Sequence, residues 1–423
     1  MLQQDPLNRI SIDEVRKKIE ELTIIAKPEI SLEEAIIGKS IQQNKISRFE
    51  VEDNIDSESL FLLAKVYIDI RQYDHGIKLF YDYMNKIEKS KDNGANTQQK
   101  VKVYFELASA FRDIGQYQSA NEYLEKTIEI LQKSGSESIA LIEAKKALGE
   151  IYCDLGKNTQ AIDLFTEALN SATKLIGKTN MTVAGLLNCL GKANSNIRNI
   201  AKALSYYQES LEIKKKLLGE NHPSFATTLN ALGGFYANQG DSKTAMENYL
   251  QALEIRKKFY GEMHPKVAAT LNNLGGVFWK LKDYQKGLEF LEKALEIYKK
   301  LFGDMHREVG TCLNNLACMY DYLGNSKKAL ECYTQSLKIK KLVFGESHPS
   351  VAVSYNNLGK FFKNKGDSKE ALDYYLKALD MLRKFYGEYH DDIASSLNNL
   401  GKLYESIDNN DEALKSYQKS LEI

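Results

Sequence analysis

HPKVAATLNNLGGVFWKLKDYQKGLEFLEKALEIYKKLFG, residues 264–303, decides the fold. Val267, Leu271, Leu274, Phe278 and Leu281 recur at the spacing of one helix face. After a short polar turn Leu288, Leu291, Leu295, Tyr298 and Leu301 do the same. The stretch therefore predicts two helices and a turn. Neither helix can hide its apolar stripe alone, so the pair must pack together and against neighbours.

The neighbours are copies of the same stretch. GxxH begins at Gly219, Gly261, Gly303, Gly345 and Gly387, each start 42 positions after the last, and Gly177 extends the series with Asn180 in the His place. L-N-x-L-G keeps that period at Leu187–Gly191, Leu229–Gly233, Leu271–Gly275 and Leu397–Gly401. A small residue stands 12 positions before another in nine copies, from Ala64/Gly76 to Gly401/Ala413. A large apolar residue follows the second by four: Phe80, Leu124, Phe165, Tyr207, Tyr249, Leu291, Tyr333, Tyr375 and Tyr417. Two helices that cross closely need such a match, a Gly or Ala on one under a bulky side chain of the other.

Leu232-Gly233-x2-Tyr236 followed by Ala245-x3-Tyr249 resembles the tetratricopeptide repeat, whose usual period is about 34 residues. The longer form here, with L-N-N-L-G, A-L-E-I-x-K-K and G-E-x-H-P, is similar to the repeats of kinesin light chains and nephrocystin-type ciliary scaffolds. The resemblance implies an all-α fold, a right-handed α-solenoid of antiparallel helix pairs that binds extended peptide segments of partner proteins in a concave groove. It also implies a place in cytoskeletal transport or a cilium. The alternative is a regulatory sensor module whose effector domain lies outside this chain.

The expected organisation has three parts. Residues 1–58 read as an N-terminal helical cap and polar linker, with capping boxes at Ser11/Glu14 and Ser31/Glu34. A coiled coil over Ile12, Val15, Ile19 and Leu22 has too few heptads. Residues 59–176 read as three irregular repeats, with a polar loop at Ser90–Lys100. Residues 177–423 read as six regular repeats, the last incomplete; their first helices should start near 181, 223, 265, 307, 349 and 391. Without a following helix, the last copy should fray unless the chain continues.

Fifty-seven basic and 57 acidic residues leave no net charge, so the balance gives no footprint for nucleic acid or an anionic membrane. No apolar run is long enough to span a bilayer, and the first ten residues lack a signal-peptide core, which places the chain in the cytoplasm. The five cysteines form no CxxC and read as free thiols. No phosphate-binding Gly loop, HExxH or GxSxG occurs, so neither an enzyme nor a cofactor is expected.

Three sets of residues remain. The periodic histidines His222, His264, His306, His348 and His390 lie one per repeat, too far apart for one metal ion, and read as turn residues before a helix start. Asn188, Asn230, Asn272, Asn314, Asn356 and Asn398 recur on the first helices, although Asn is a poor helix former. They read either as a ladder bonding between repeats or as a row of amides for peptide backbone, which the family's geometry favours; both roles can coexist. Beside them Trp279 and Tyr322 read as anchors, against a core role for Trp279, and Lys360 and Lys363 as a basic stretch, against a merely solvated face. The Asn that chaperone-binding members carry one residue after the small Gly is absent: that slot holds Lys192, Gly234, Gly276, Cys318, Lys360 and Lys402.

Overall fold

The computed structural model describes residues 57–69, 73–89, 93–133, 135 and 137–423. Among these residues the chain forms eighteen helices and no strand. It divides into two compact units, one ending at Lys178 and one running from Thr179 to Ile423 together with Leu155–Asn158. The expected N-terminal cap and its capping boxes lie outside the described residues.

The first unit carries α1 (Ser57–Asp69), α2 (Tyr73–Lys89), α3 (Asn93–Asp113), α4 (Tyr117–Lys133), α5 (Ile139–Asp154) and α6 (Asn158–Ile176). The second carries α7 (Met181–Asn196), α8 (Ile200–Leu218), α9 (Pro223–Asn238), α10 (Ser242–Tyr260), α11 (Pro265–Lys280) and α12 (Tyr284–Phe302). It continues with α13 (Arg307–Tyr322), α14 (Ser326–Phe344), α15 (Pro349–Asn364), α16 (Ser368–Tyr386), α17 (Asp391–Glu405) and α18 (Asn410–Leu421). Within each unit odd and even helices pair as antiparallel hairpins, and successive hairpins stack as an all-α solenoid.

Local chemistry sets the helix limits. Pro223, Pro265 and Pro349 open their helices, where a missing N–H leaves no bond unmade. Gly219, Gly261, Gly303, Gly345 and Gly387 close the second helices with φ between 79 and 84°, a conformation that costs any residue with a Cβ. One expectation fails here. Ser90–Lys100 does not read through as a loop, because α3 already begins at Asn93. Thr97 to Lys100 are compatible with helix, and Lys100 Nζ reaches Glu88 Oε1 on α2 at 3.0 Å, so pairing between successive hairpins outweighs the Asn-Gly turn signal.

Packing within each hairpin turns on the small residue of its first helix. A Cβ at Gly233 would stand 2.8 Å from the Tyr249 ring, one at Gly359 2.8 Å from Tyr375, and one at Gly275 2.5 Å from Leu291. The seat lets Leu271, Leu274, Val277, Leu291, Ala294, Ile297 and Val309 close into one buried cluster spanning α11 to α13.

Gly276 is the counter-case: a Cβ there meets nothing within 4 Å. Helix propensity favours Ala over Gly by about 0.8–1.0 kcal/mol at either site. Overpacking costs about 1–3 kcal/mol, but only at the closed one. Gly276→Ala should therefore raise the denaturation midpoint and Gly233→Ala should lower it. Shifts of the same sign in urea melts of the two variants would contradict this account of the hairpin.

Candidate functional site

The eighth residue of each first helix in the second unit is Asn: Asn188 on α7, Asn230 on α9, Asn272 on α11, Asn314 on α13, Asn356 on α15 and Asn398 on α17. The structure joins several of them directly. Asn273 Nδ2 donates to Asn230 Oδ1 at 3.3 Å, Asn315 Nδ2 to Asn272 Oδ1 at 3.1 Å, and Asn357 Nδ2 to Asn314 Oδ1 at 2.9 Å. The second Asn of the pair, Asn273, Asn315 or Asn357, thus holds the first Asn of the repeat before it. The ladder between repeats is real for these copies, and it fixes which way each amide faces.

Its polarity matters. The Oδ1 atoms of Asn230, Asn272 and Asn314 are taken, whereas their amide nitrogens make no hydrogen bond among the described residues. At the ends the pattern breaks for legible reasons. Asn188 Oδ1 is buried without a partner, and the residue placed to donate to it is Ala231. Asn356 instead donates to Ser396 Oγ at 2.8 Å, leaving its own Oδ1 buried and unpaired. Asn398 is exposed.

One turn along the same face, the floor opens at Gly276 and then meets Trp279. Trp279 is half-buried against the cluster of α11 to α13. Its ring stands edge-on to Tyr322 at 4.3 Å and tilted against Tyr284 at 5.4 Å; Tyr284 and Tyr322 are 5.1 Å apart. So Trp279 belongs both to the wall of the core and to an aromatic cluster, of which Tyr322 is 52% exposed. Sequence reasoning missed Tyr284. The signal was present, since the same place is Ser242, Ser326 and Ser368 in three other repeats. Lys360 is exposed and Lys363 half-buried on α15, while Asp321 is held by Lys365 at 3.1 Å. The Cys318 thiol accepts from Tyr333 Oη at 3.2 Å, and burial pushes its pKa up, away from thiolate chemistry.

Beneath the Asn row lies a second feature that patterning did not reveal. Lys214, Arg256 and Lys340 occupy one place in their second helices and are buried, with no buried carboxylate among the described residues. Lys214 Nζ donates to Thr228 Oγ1 at 2.6 Å. Arg256 Nη1 reaches Thr270 Oγ1 at 2.6 Å, the Lys266 carbonyl at 3.0 Å and Asn230 Oδ1 at 3.4 Å, so it braces the amide row from behind. For Lys340, burial pushes the amine down to about 8.

The histidines are N-caps. His222, His264, His306, His348 and His390 each accept, through Nδ1, the N–H of the second residue of the following helix at 3.0–3.2 Å. Four of the rings stack on the aromatic four residues before: Tyr260 on His264, Phe302 on His306, Phe344 on His348 and Tyr386 on His390. Asn180 caps α7 in the same way through its Oδ1, 2.9 Å from Thr182 N. No group of three or more His, Cys, Asp or Glu placed to hold a metal occurs among the described residues, and no helix there is long and apolar enough to cross a membrane.

Comparison with known proteins agrees with this architecture. The tetratricopeptide repeat family model matches residues 98–174, 141–216, 182–258, 266–342 and 350–423. A TPR repeat-containing protein of Dictyostelium discoideum is 31% identical over 94 residues, 22% of this chain, and the match spans 6% of that protein's length. Among solved structures, a Rap protein in complex with Competence and Sporulation Factor is similar over 86% of this chain and 97% of its own, with a TM-score of 0.61 and 14% identity. The nearly identical TPR-like repeats of a putative kinesin light chain from Podosopora anserina align over 48% of this chain and 95% of theirs, with a TM-score of 0.40 and 21% identity.

Burial, with Arg307 and Lys340 nearby, lowers the His348 pKa from 6.5 to about 4. A folded value below the unfolded one means that the neutral ring is favoured in the fold. Its contribution is complete above about pH 6.5 and is lost as pH falls through about 4. Protonation at Nδ1 would also remove the acceptor for Ser350 N–H. His348→Asn, which imitates Asn180, should therefore flatten the fall in melting temperature between pH 6.5 and 4 relative to the parent chain. An equally steep fall in both proteins would show that this cap does not carry the acid sensitivity.

Proposed function

The chain belongs to the tetratricopeptide repeat family, and from that premise we propose that it is an interaction scaffold whose first-helix face binds extended peptide segments of partner proteins. The observation that carries this reading is the row Asn230, Asn272 and Asn314, whose amide nitrogens remain available beside Trp279 and Tyr322. A buried ladder serving packing alone would have no need to leave those donors open. Asn188, Asn356 and Asn398 extend the row, and Lys360 and Lys363 add positive charge toward α17. The balanced overall charge supports protein rather than nucleic acid as partner.

The similarity of the long repeats to those of kinesin light chains supports a cytoplasmic role in cytoskeletal transport or at a cilium. The second reading is a regulatory sensor module with its effector domain elsewhere. Its support is the likeness in fold, over most of the chain, to a Rap protein solved with Competence and Sporulation Factor. Affinity purification of the chain from cells, with the partners identified by mass spectrometry, separates the two by the class of protein recovered.

Replacing Asn272, Asn314 and Asn356 together by Ala tests the groove itself. Asn356 already donates to Ser396, so the open amides of Asn272 and Asn314 decide the outcome: at about 0.5–1.5 kcal/mol net for each bond, binding of a peptide selected from a displayed library should weaken by about 1–3 kcal/mol if the terms add. The ladder bonds to Asn315 and Asn357 disappear in the same variant, so its melting temperature must be followed with affinity. Lower stability with unchanged affinity would reduce the row to a packing device.

A further inference from the structure

The ladder does more than join repeats, because it engages acceptors of the face and leaves donors open. Over α11 and α13 the Oδ1 atoms of Asn272 and Asn314 are occupied by Asn315 and Asn357, and Asp321 is occupied by Lys365. The amide nitrogens of Asn272 and Asn314 carry no bond among the described residues, and Trp279 adds an indole N–H, a donor only. The Tyr284 and Tyr322 hydroxyls can do either. Resting on the reading of this face as a peptide groove, we propose that the seam of α11 and α13 selects proline-rich segments in the polyproline II conformation.

Three observations converge on that occupant. The first is hydrogen-bond complementarity. An ordinary extended peptide brings an N–H for every carbonyl, and its inward N–H groups would meet donors here. Proline brings a carbonyl and no N–H, so a proline-rich backbone satisfies a donor row and leaves nothing unpaired. The second is spacing. Direct Asn–Asn bonds make successive first helices neighbours, and packed helices lie ~8–10 Å apart. A polyproline II helix has three residues per turn at 3.1 Å each, so its carbonyls on one side recur at about 9.3 Å. A β-strand repeats at about 6.6–6.8 Å and falls out of step after one repeat. The third is the aromatic cluster. Trp279 and Tyr322 replace polar or small residues of the long repeats, Tyr284 stands where three other long repeats carry Ser, and the three rings meet at 4.3–5.4 Å at a single seam. Flat aromatic surfaces are what pyrrolidine rings pack on in aromatic-lined polyproline grooves. Open space at Gly276 lets the backbone approach between Asn272 and Trp279.

The test uses the natural reporter. Trp279 is the only tryptophan of the chain, so its emission follows binding at this seam and nowhere else. Decaproline and an alanine–glycine decapeptide are titrated against the full chain. Decaproline should bind about tenfold tighter or better. Asn315→Ala frees Asn272 Oδ1 as an acceptor, and Asn357→Ala does the same for Asn314. Either variant, its fold checked by circular dichroism, should narrow the preference by strengthening alanine–glycine binding. Equal affinities for the two peptides in the parent chain, or a preference unchanged in both variants, would overturn the selection of proline. If the alanine–glycine peptide binds as tightly as decaproline and the triple Asn variant loses it, the groove reading stands and this inference falls. If neither peptide alters Trp279 emission, both fall.

Discussion

Everything in the second unit depends on one contact, the large side chain of each second helix seated on a small residue of the first. Tyr207 on Gly191, Tyr249 on Gly233, Leu291 on Gly275, Tyr375 on Gly359 and Tyr417 on Gly401 are the same contact five times. It sets the distance between the helices of a hairpin. Hairpin geometry, repeated without change, then sets the distance between hairpins. Only under that regularity can Asn273 find Asn230, Asn315 find Asn272 and Asn357 find Asn314, since a hydrogen bond tolerates a few tenths of an ångström. The polar face is thus a consequence of apolar packing on its far side.

The ladder in turn explains why poor helix formers are kept at mid-helix. Each pair places one half-buried amide where another needs a partner, which offsets a propensity loss of a few tenths of a kcal/mol with a bond of about 0.5–1.5 kcal/mol. Where the pair is incomplete, cost reappears as an orphaned oxygen, at Asn188 opposite Ala231 and at Asn356 turned toward Ser396. Arg256 takes the opposite part. Its burial would be costly alone, yet three acceptors on the next first helix and on the Asn row surround its Nη1.

Much of this was legible in the sequence because a repeat turns each position into a column. The predicted starts near 181, 223, 265, 307, 349 and 391 match the first residues of α7 to α17. The histidines were readable as turn residues, but their stacking on the aromatic four places earlier was not, because ring orientation depends on the path of the loop. The Asn column was readable as polar and periodic; its direction was not, since donor and acceptor ends differ only through the bonds they make. The buried cations escaped notice because Lys214, Arg256 and Lys340 alternate with Tyr298 and Leu382, a column without a shared chemistry. The opening of α3 at Asn93 was missed because Asn-Gly is a turn signal only where no tertiary contact opposes it.

In an array built from near-identical units, the residues that hold the fold are those that recur, and the residues that distinguish one partner from another must be those that do not. The column of Trp279 otherwise holds Ser195, Ala237, Asp321, Lys363 and Glu405; that of Tyr322 holds Asn196, Asn238, Lys280, Asn364 and Ser406. Packing dictates no one residue in these columns, so their variety is not a defect of the repeat. Aromatic substitutions in three such columns fall on rings that touch one another, although Trp279 and Tyr322 come from successive repeats and Tyr284 from a second helix. Independent drift in exposed columns gives no reason for that coincidence. A local demand for a flat apolar surface gives one, and it lies where the amide row leaves its nitrogens open. Under the proposed peptide-binding role the recurring residues act as a generic backbone reader, and the three departures mark the seam at which it is specific.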